Sequence, residues 1–315
     1  MYIKNTLRLF INNLGIGMKA VFYRLVVTFI GLLCLYAVLY IGTSEIFQSA
    51  QMRQVFGDLK SLWLQFLGVN STTATVNIQA SVKALSLLIK ANFSRIVWSG
   101  LFGVVILFAM DFALGLCNFT LTVMIDKHMS TISNSHFTQT FIQSLKKAVL
   151  FELFFTTIKF VFALIVGIIL IAIILLLGQA ISMLSVVFGL WFVIFVCSFF
   201  LSFTARLRPR VAQGEKLSVA LHNNGFKKGE FFSVFTAYIF SIVLVAYVNI
   251  SMLITTLGSG LMLSIPMSYL YLMCLQNIIE YTLSGKKYYL DYQNIVVPKQ
   301  LRSEEERLLS DVEIN

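Results

Sequence analysis

The chain has 315 residues, 58% hydrophobic and only 12% charged. That balance excludes an ordinary soluble domain, in which apolar residues run at about 45–50% even with glycine counted. A net charge of +10 would point to nucleic acid in a soluble protein, but no basic repeat is interleaved with aromatics, so the charge reads as membrane orientation.

Residues 1–20 place Ile3, Leu7, Phe10, Ile11 and Leu14 at helical spacing, with Lys4, Arg8 and Lys19 for lipid headgroups, which predicts an interfacial amphipathic helix. Six apolar runs follow, at 21–43, 96–125, 149–177, 181–204, 231–255 and 261–281. At ~1.5 Å per residue each is long enough to cross a hydrocarbon core of ~30 Å. The first run is expected to stay as a span, because no small-residue cleavage pattern follows it.

Lys and Arg set the predicted orientation. Four precede the end of residue 24, three lie in 126–147, six in 206–228 and five in the tail from 282, whereas the connectors 178–180 and 256–260 have none. The fold class is therefore an all-α polytopic bundle of six transmembrane helices with both termini cytoplasmic, in a cytoplasmic (inner) membrane.

Between the first two spans, residues 44–95 carry two amphipathic stretches: Met52, Val55, Phe56, Leu59, Leu62, Trp63, Phe66 and Leu67, then Ile78, Val82, Leu85, Leu88, Ile89 and Phe93. They predict an external helical hairpin. Residues 126–148 are read as a cytoplasmic loop. Residues 205–230 are read as a basic cytoplasmic loop whose Arg206, Arg208, Arg210, Lys216, Lys227 and Lys228 meet a partner or anionic lipid, with a short helix near Leu217. The tail, 282–315, ends in Ser303-Glu304-Glu305-Glu306 ahead of Leu308, a capping-box start to an acidic helix.

Asp111 is the sharpest single signal, since a carboxylate inside a span needs a partner. Counted from Asp126 and Lys147, Asp111 and Lys159 lie ~22 and ~18 Å along their helices, a difference a lysine stem can cover. Gly100, Val104, Asp111, Gly115, Asn118 and Thr122 share one face of the second span, the small and polar stripe that close helix contact in lipid selects. Glu152 and Lys159 share a face of the third. The predicted seam joins Asp111 to Lys159 and Asn118 to Glu152. It serves either to fasten the spans or as a proton or ion relay, and the structural role is preferred because other spans offer only Glu280.

Enzyme chemistry finds no support. His128, His136 and His222 lack metal-pair spacing, and Cys34, Cys117, Cys197 and Cys274 sit singly in apolar runs. Gly258-Ser259-Gly260 has no histidine at its depth, and there is no phosphate-binding glycine loop. No catalytic residue, metal site or cofactor is assigned. Six spans with a long loop between the fourth and fifth superficially resemble ABC-type permeases, but Glu215-Lys216-Leu217 stands where Glu-Ala-Ala is expected, and Gly225 is too far downstream. The sequence thus predicts a non-catalytic accessory, assembly or scaffold component of a membrane complex, with a transporter or permease subunit as the alternative. Its expected partners are membrane lipids and a protein bound through the external hairpin, basic loop or acidic tail, with no nucleic acid.

Overall fold

A computed structural model describes residues 2–50, 52–53, 56–57, 78–131, 136–178, 182–227, 229–291 and 294–297. The helices are α1 (Tyr2–Asn12), α2 (Leu14–Gln48), α3 (Ile78–Ala91), α4 (Phe93–Thr131), α5 (Phe137–Gly178), α6 (Ser182–Thr204), α7 (Leu207–Ala212), α8 (Leu217–His222), α9 (Glu230–Thr255) and α10 (Leu261–Leu283). Two short strands follow, β1 (Tyr288–Tyr289) and β2 (Ile295–Val296). Six helical segments among the described residues are long and apolar enough to cross a membrane: Leu14–Gln48, Phe93–Thr131, Phe137–Ile174, Val187–Ala212, Glu230–Thr255 and Leu261–Leu283. The chain is an integral membrane protein built on spans of this kind, because in lipid a helix satisfies every backbone N–H and C=O internally.

The helices outrun the apolar windows. α2 has 35 residues and α5 has 42, about 52 and 63 Å at 1.5 Å per residue. Hydropathy marks only the slice of a helix that sits in hydrocarbon, and the flank of α5 ahead of its apolar run contains no proline or glycine to stop the i→i−4 ladder. Most of the loop predicted at 126–148 is therefore helix, belonging to the end of α4 and the start of α5. The predicted N-terminal helix is likewise divided. Buried Asn13 marks the break: its backbone N–H (3.1 Å) and its side-chain amide (2.9 Å) both donate to the Leu9 carbonyl, and α2 starts at the next residue.

Two compact units are present, one formed by Met1–Val26 and Asp111–Asn315, the other by Val27–Met110. In the second unit, close approach of α2 and α4 rests on glycine. A Cβ at Gly31 would lie 3.0 Å from Cγ of Met110, and one at Gly42 would overlap the Ser99 side chain. Glu45 and Arg95 form an exposed ion pair between the same helices. Of the predicted external hairpin, residues 58–77 and most of the first stretch lie outside the described residues, and α3 supplies the second stretch.

The first unit is organised on α10, buried along 61% of its most apolar window, whereas the corresponding window of α5 has no fully buried residue. The helix runs through Pro266. Its buried Cys274, Ile278 and Tyr281 meet Leu9 of α1 and Cys117, Leu121 and Ile125 of α4. A second cluster joins Phe119, Phe151 and Phe155 to Leu207, Val211 and Ala220. The connector from α9 to α10 is a tight turn in which Gly258 (φ +92°) donates to the Leu253 carbonyl at 2.9 Å, a left-handed helix ending that favours glycine.

After α10 the chain folds back onto α1. Gly285 (φ +63°) ends the helix, with Lys286 N–H on the Tyr281 carbonyl at 3.0 Å. The strands then pair antiparallel, Tyr288 opposite Val296 and Tyr289 opposite Ile295. This hairpin clamps α1: Asn5 donates to the Tyr288 hydroxyl (3.1 Å), Asn12 to the Leu290 carbonyl (3.1 Å), and Arg8 pairs with Asp291 (3.0 Å). The acidic tail predicted from Ser303 lies outside the described residues.

Candidate functional site

The site is a chain of ionic and polar contacts through the first unit, and α7 is its centre. Arg206, Arg208 and Arg210 are two residues apart. On a helix alternate residues point nearly opposite ways, whereas i and i+4 share a face. Arg206 and Arg210 accordingly grip one carboxylate from one side: Glu280 of α10 accepts from Nε of Arg206 at 2.7 Å and from Nε of Arg210 at 3.0 Å. Arg208 faces the other way. Its guanidinium binds Glu152 of α5 in bidentate fashion, at 2.8 and 3.2 Å, and reaches Gln276 of α10 at 3.4 Å. α7 is thus wedged between α5 and α10 by charge.

Further donors of Arg206 and Arg210 are used as well. Arg206 donates to the Gly225 carbonyl (3.1 Å) and Arg210 to the Asn223 carbonyl (2.7 Å), which ties down the segment after α8. Ser284 closes on Glu280. Phe155 and Phe151 lie beneath Arg208, 5.0 and 5.6 Å from its guanidinium carbon. The side chains of the three arginines are only 5–9% exposed, and Glu152 and Glu280 are 0% and 2% exposed. These arginines therefore differ from the sequence reading of a basic surface for a partner or anionic lipid. Their charges are spent inside the protein, because two carboxylates buried in apolar runs require them more than a headgroup does. Lys216 and Lys227 are exposed, and Lys228 lies outside the described residues.

Among the four residues of the predicted seam, Asp111 and Lys159 come together, with Nζ at 2.5 and 2.8 Å from the two carboxylate oxygens. Asn118 and Glu152 do not share a hydrogen bond. Asn118 accepts from Arg24, and Glu152 belongs to Arg208. Glu152 nevertheless lies in the spans' contact, since a Cβ placed on Gly115 would stand 2.9 Å from its Cδ. Thr122 reaches Met273 on α10 (3.4 Å), whereas Gly100 meets nothing that a Cβ would touch. The predicted stripe on α4 is therefore engaged from Asp111 onward.

Arg24 was absent from the seam as read from sequence, where it counted only as a flanking cation. It is buried, hydrogen-bonded to Asn118 and stacked over the Tyr269 ring at 4.4 Å. The aromatic face supplies negative potential where no carboxylate does. Asp126 completes the network, accepting from the Tyr281 hydroxyl (2.8 Å) and Gln213 (3.0 Å), while Lys286 donates to Gln213 (2.6 Å). One signal in the sequence pointed to α7: Glu152 and Glu280 are carboxylates in apolar runs, and the Arg-x-Arg-x-Arg of 206–210 is the nearest supply of paired cations.

At the edge of this network, burial raises the Tyr2 hydroxyl above its usual pKa, reinforced by nearby Glu230 and Tyr288 and opposed by Arg206. The arrangement holds charges still. Among the described residues no three His, Cys, Asp or Glu side chains come together as metal ligands would. No family model, curated protein or solved structure matches the chain.

Proposed function

We propose that this chain is a non-catalytic component of a membrane complex, an accessory, assembly or scaffold subunit of the cytoplasmic membrane with both termini on the cytoplasmic side. One observation carries the reading: Glu152 and Glu280, the most deeply buried carboxylates among the described residues, have both oxygens engaged by arginine donors. A relay needs carboxylate oxygens free to exchange partners, whereas each of these oxygens is already engaged by a guanidinium N–H. Such a network supports a rigid platform. The surfaces left for a protein partner are the external segment between the first two spans, exposed Lys216 and Lys227, and the acidic tail. The alternative is a transporter or permease subunit, favoured by one feature: the Asp111 and Lys159 side chains remain 39% and 28% exposed.

Copurification from its own membrane in a mild detergent tests this. A stoichiometric membrane complex without a nucleotide hydrolase supports the accessory reading. Recovery with a stoichiometric ATPase overturns it in favour of the permease.

A further inference from the structure

Away from the ion pairs, one groove in the first unit sets a cation beside exposed apolar walls. Lys19, Phe22, Tyr23 and Val26 of α2 line it with His136 and Phe137 at the start of α5, around a volume of about 560 Å³, a size typical of ligand sites. Lys19, Phe22 and Val26 are three and four residues apart and so form one stripe of the helix. Phe22 is 74% and Val26 41% exposed. Both belong to a segment long and apolar enough to span a membrane, and an exposed apolar stripe on such a segment is suited to acyl chains. His136 immediately precedes the polar flank of α5, so it lines the groove from outside the apolar slice of that helix.

We propose that this groove binds one anionic phospholipid, its phosphate against the Lys19 ammonium and the His136 imidazole and an acyl chain along Phe22 and Val26. Charge decides the occupant. Arg206, Arg208 and Arg210 are already matched to Glu152 and Glu280, whereas Lys19 has no carboxylate within ion-pairing distance among the described residues. A long lysine stem on an apolar face lifts its ammonium to the interface, where anionic headgroups lie. The floor is fixed in advance: the Tyr23 hydroxyl donates to the Ala113 carbonyl (3.1 Å), and its ring lies 6.3 Å from Phe137 and 5.6 Å from Phe141. A soluble anion would have no use for Phe22 and Val26. The inference depends on membrane embedding and not on the accessory role.

Native mass spectrometry of the full-length protein in mild detergent, titrated with phosphatidylglycerol or phosphatidylcholine of matched chains, tests it. The wild type retains a single phosphatidylglycerol in preference to phosphatidylcholine. Lys19→Gln lowers that retention about fivefold, the effect of one lysine at a membrane surface. Lys19→Arg keeps it, and Lys216→Gln, which removes an exposed cation elsewhere, leaves it unchanged. Equal losses in Lys19→Gln and Lys216→Gln overturn the proposal by showing diffuse attraction, as does undiminished binding in folded Lys19→Gln. Displacement of the lipid by equimolar inorganic phosphate overturns the lipid as occupant. If Lys19→Gln does not fold, His136→Gln carries the same comparison, with reduced retention supporting the site and unchanged retention refuting it.

Discussion

Breaking the Glu152–Arg208 pair from one side should cost far more than removing it whole. The Glu152 side chain is fully buried and that of Arg208 is 5% exposed, so neither charge left alone can recover hydration. Truncating one member of a buried pair typically costs about 3–5 kcal/mol, while replacing both by apolar groups of similar volume is often close to neutral. Glu152→Met should therefore destabilise by about 3–5 kcal/mol, and Arg208→Met by a similar amount. In the double variant the Gln276 carbonyl loses a 3.4 Å contact, a cost of about 1 kcal/mol. The double variant should then be more stable than either single one, with a coupling above about 2 kcal/mol. Equilibrium unfolding in mixed micelles, with a denaturing detergent as the variable, yields the four stabilities. Additive losses, or single losses under about 1 kcal/mol, would refute the wedge that α7 is argued to form.

Two further outcomes follow from close contacts and from charge. Gly115→Ala places a methyl 2.9 Å from Cδ of Glu152 and should cost about 1–3 kcal/mol in the same assay. Gly100→Ala meets open space and should be neutral or stabilising by up to about 1 kcal/mol. For orientation, a membrane-impermeant maleimide on intact cells should label Leu257→Cys, a position 96% exposed in the turn between α9 and α10, and leave Lys216→Cys unlabelled until the cells are opened. The reverse pattern would invert the proposed topology.

The spans were legible because hydrocarbon imposes one requirement on every residue in them, and length and apolarity report it directly. The Asp111–Lys159 pair was legible for a related reason. Both groups lie in adjacent antiparallel spans, so counting from the flanks fixes their relative depth. Glu152 was misassigned to Asn118 because depth alone does not choose among neighbours. A carboxylate takes the strongest donor within reach, and Arg208 arrives from a segment more than fifty residues away along the chain. The arginines of 206–210 looked like surface because most basic clusters at span ends are. Only the demand of two buried carboxylates draws them inward, and that demand depends on which helices meet. Clamping of α1 by the hairpin of β1 and β2 had no periodic signal at all, since it rests on single bonds from Asn5, Asn12 and Arg8.

The central claim is that charges within the spans fasten helices, and the Asp111–Lys159 pair offers the plainest measurement of it. An ionised residue stranded at a helix centre costs about 2.5–3.5 kcal/mol in lipid. Asp111→Asn and Lys159→Met should each reduce the folded protein recovered from membranes, and the exchange Asp111→Lys with Lys159→Asp should restore most of it. Single variants that accumulate and unfold like the wild type would contradict the account.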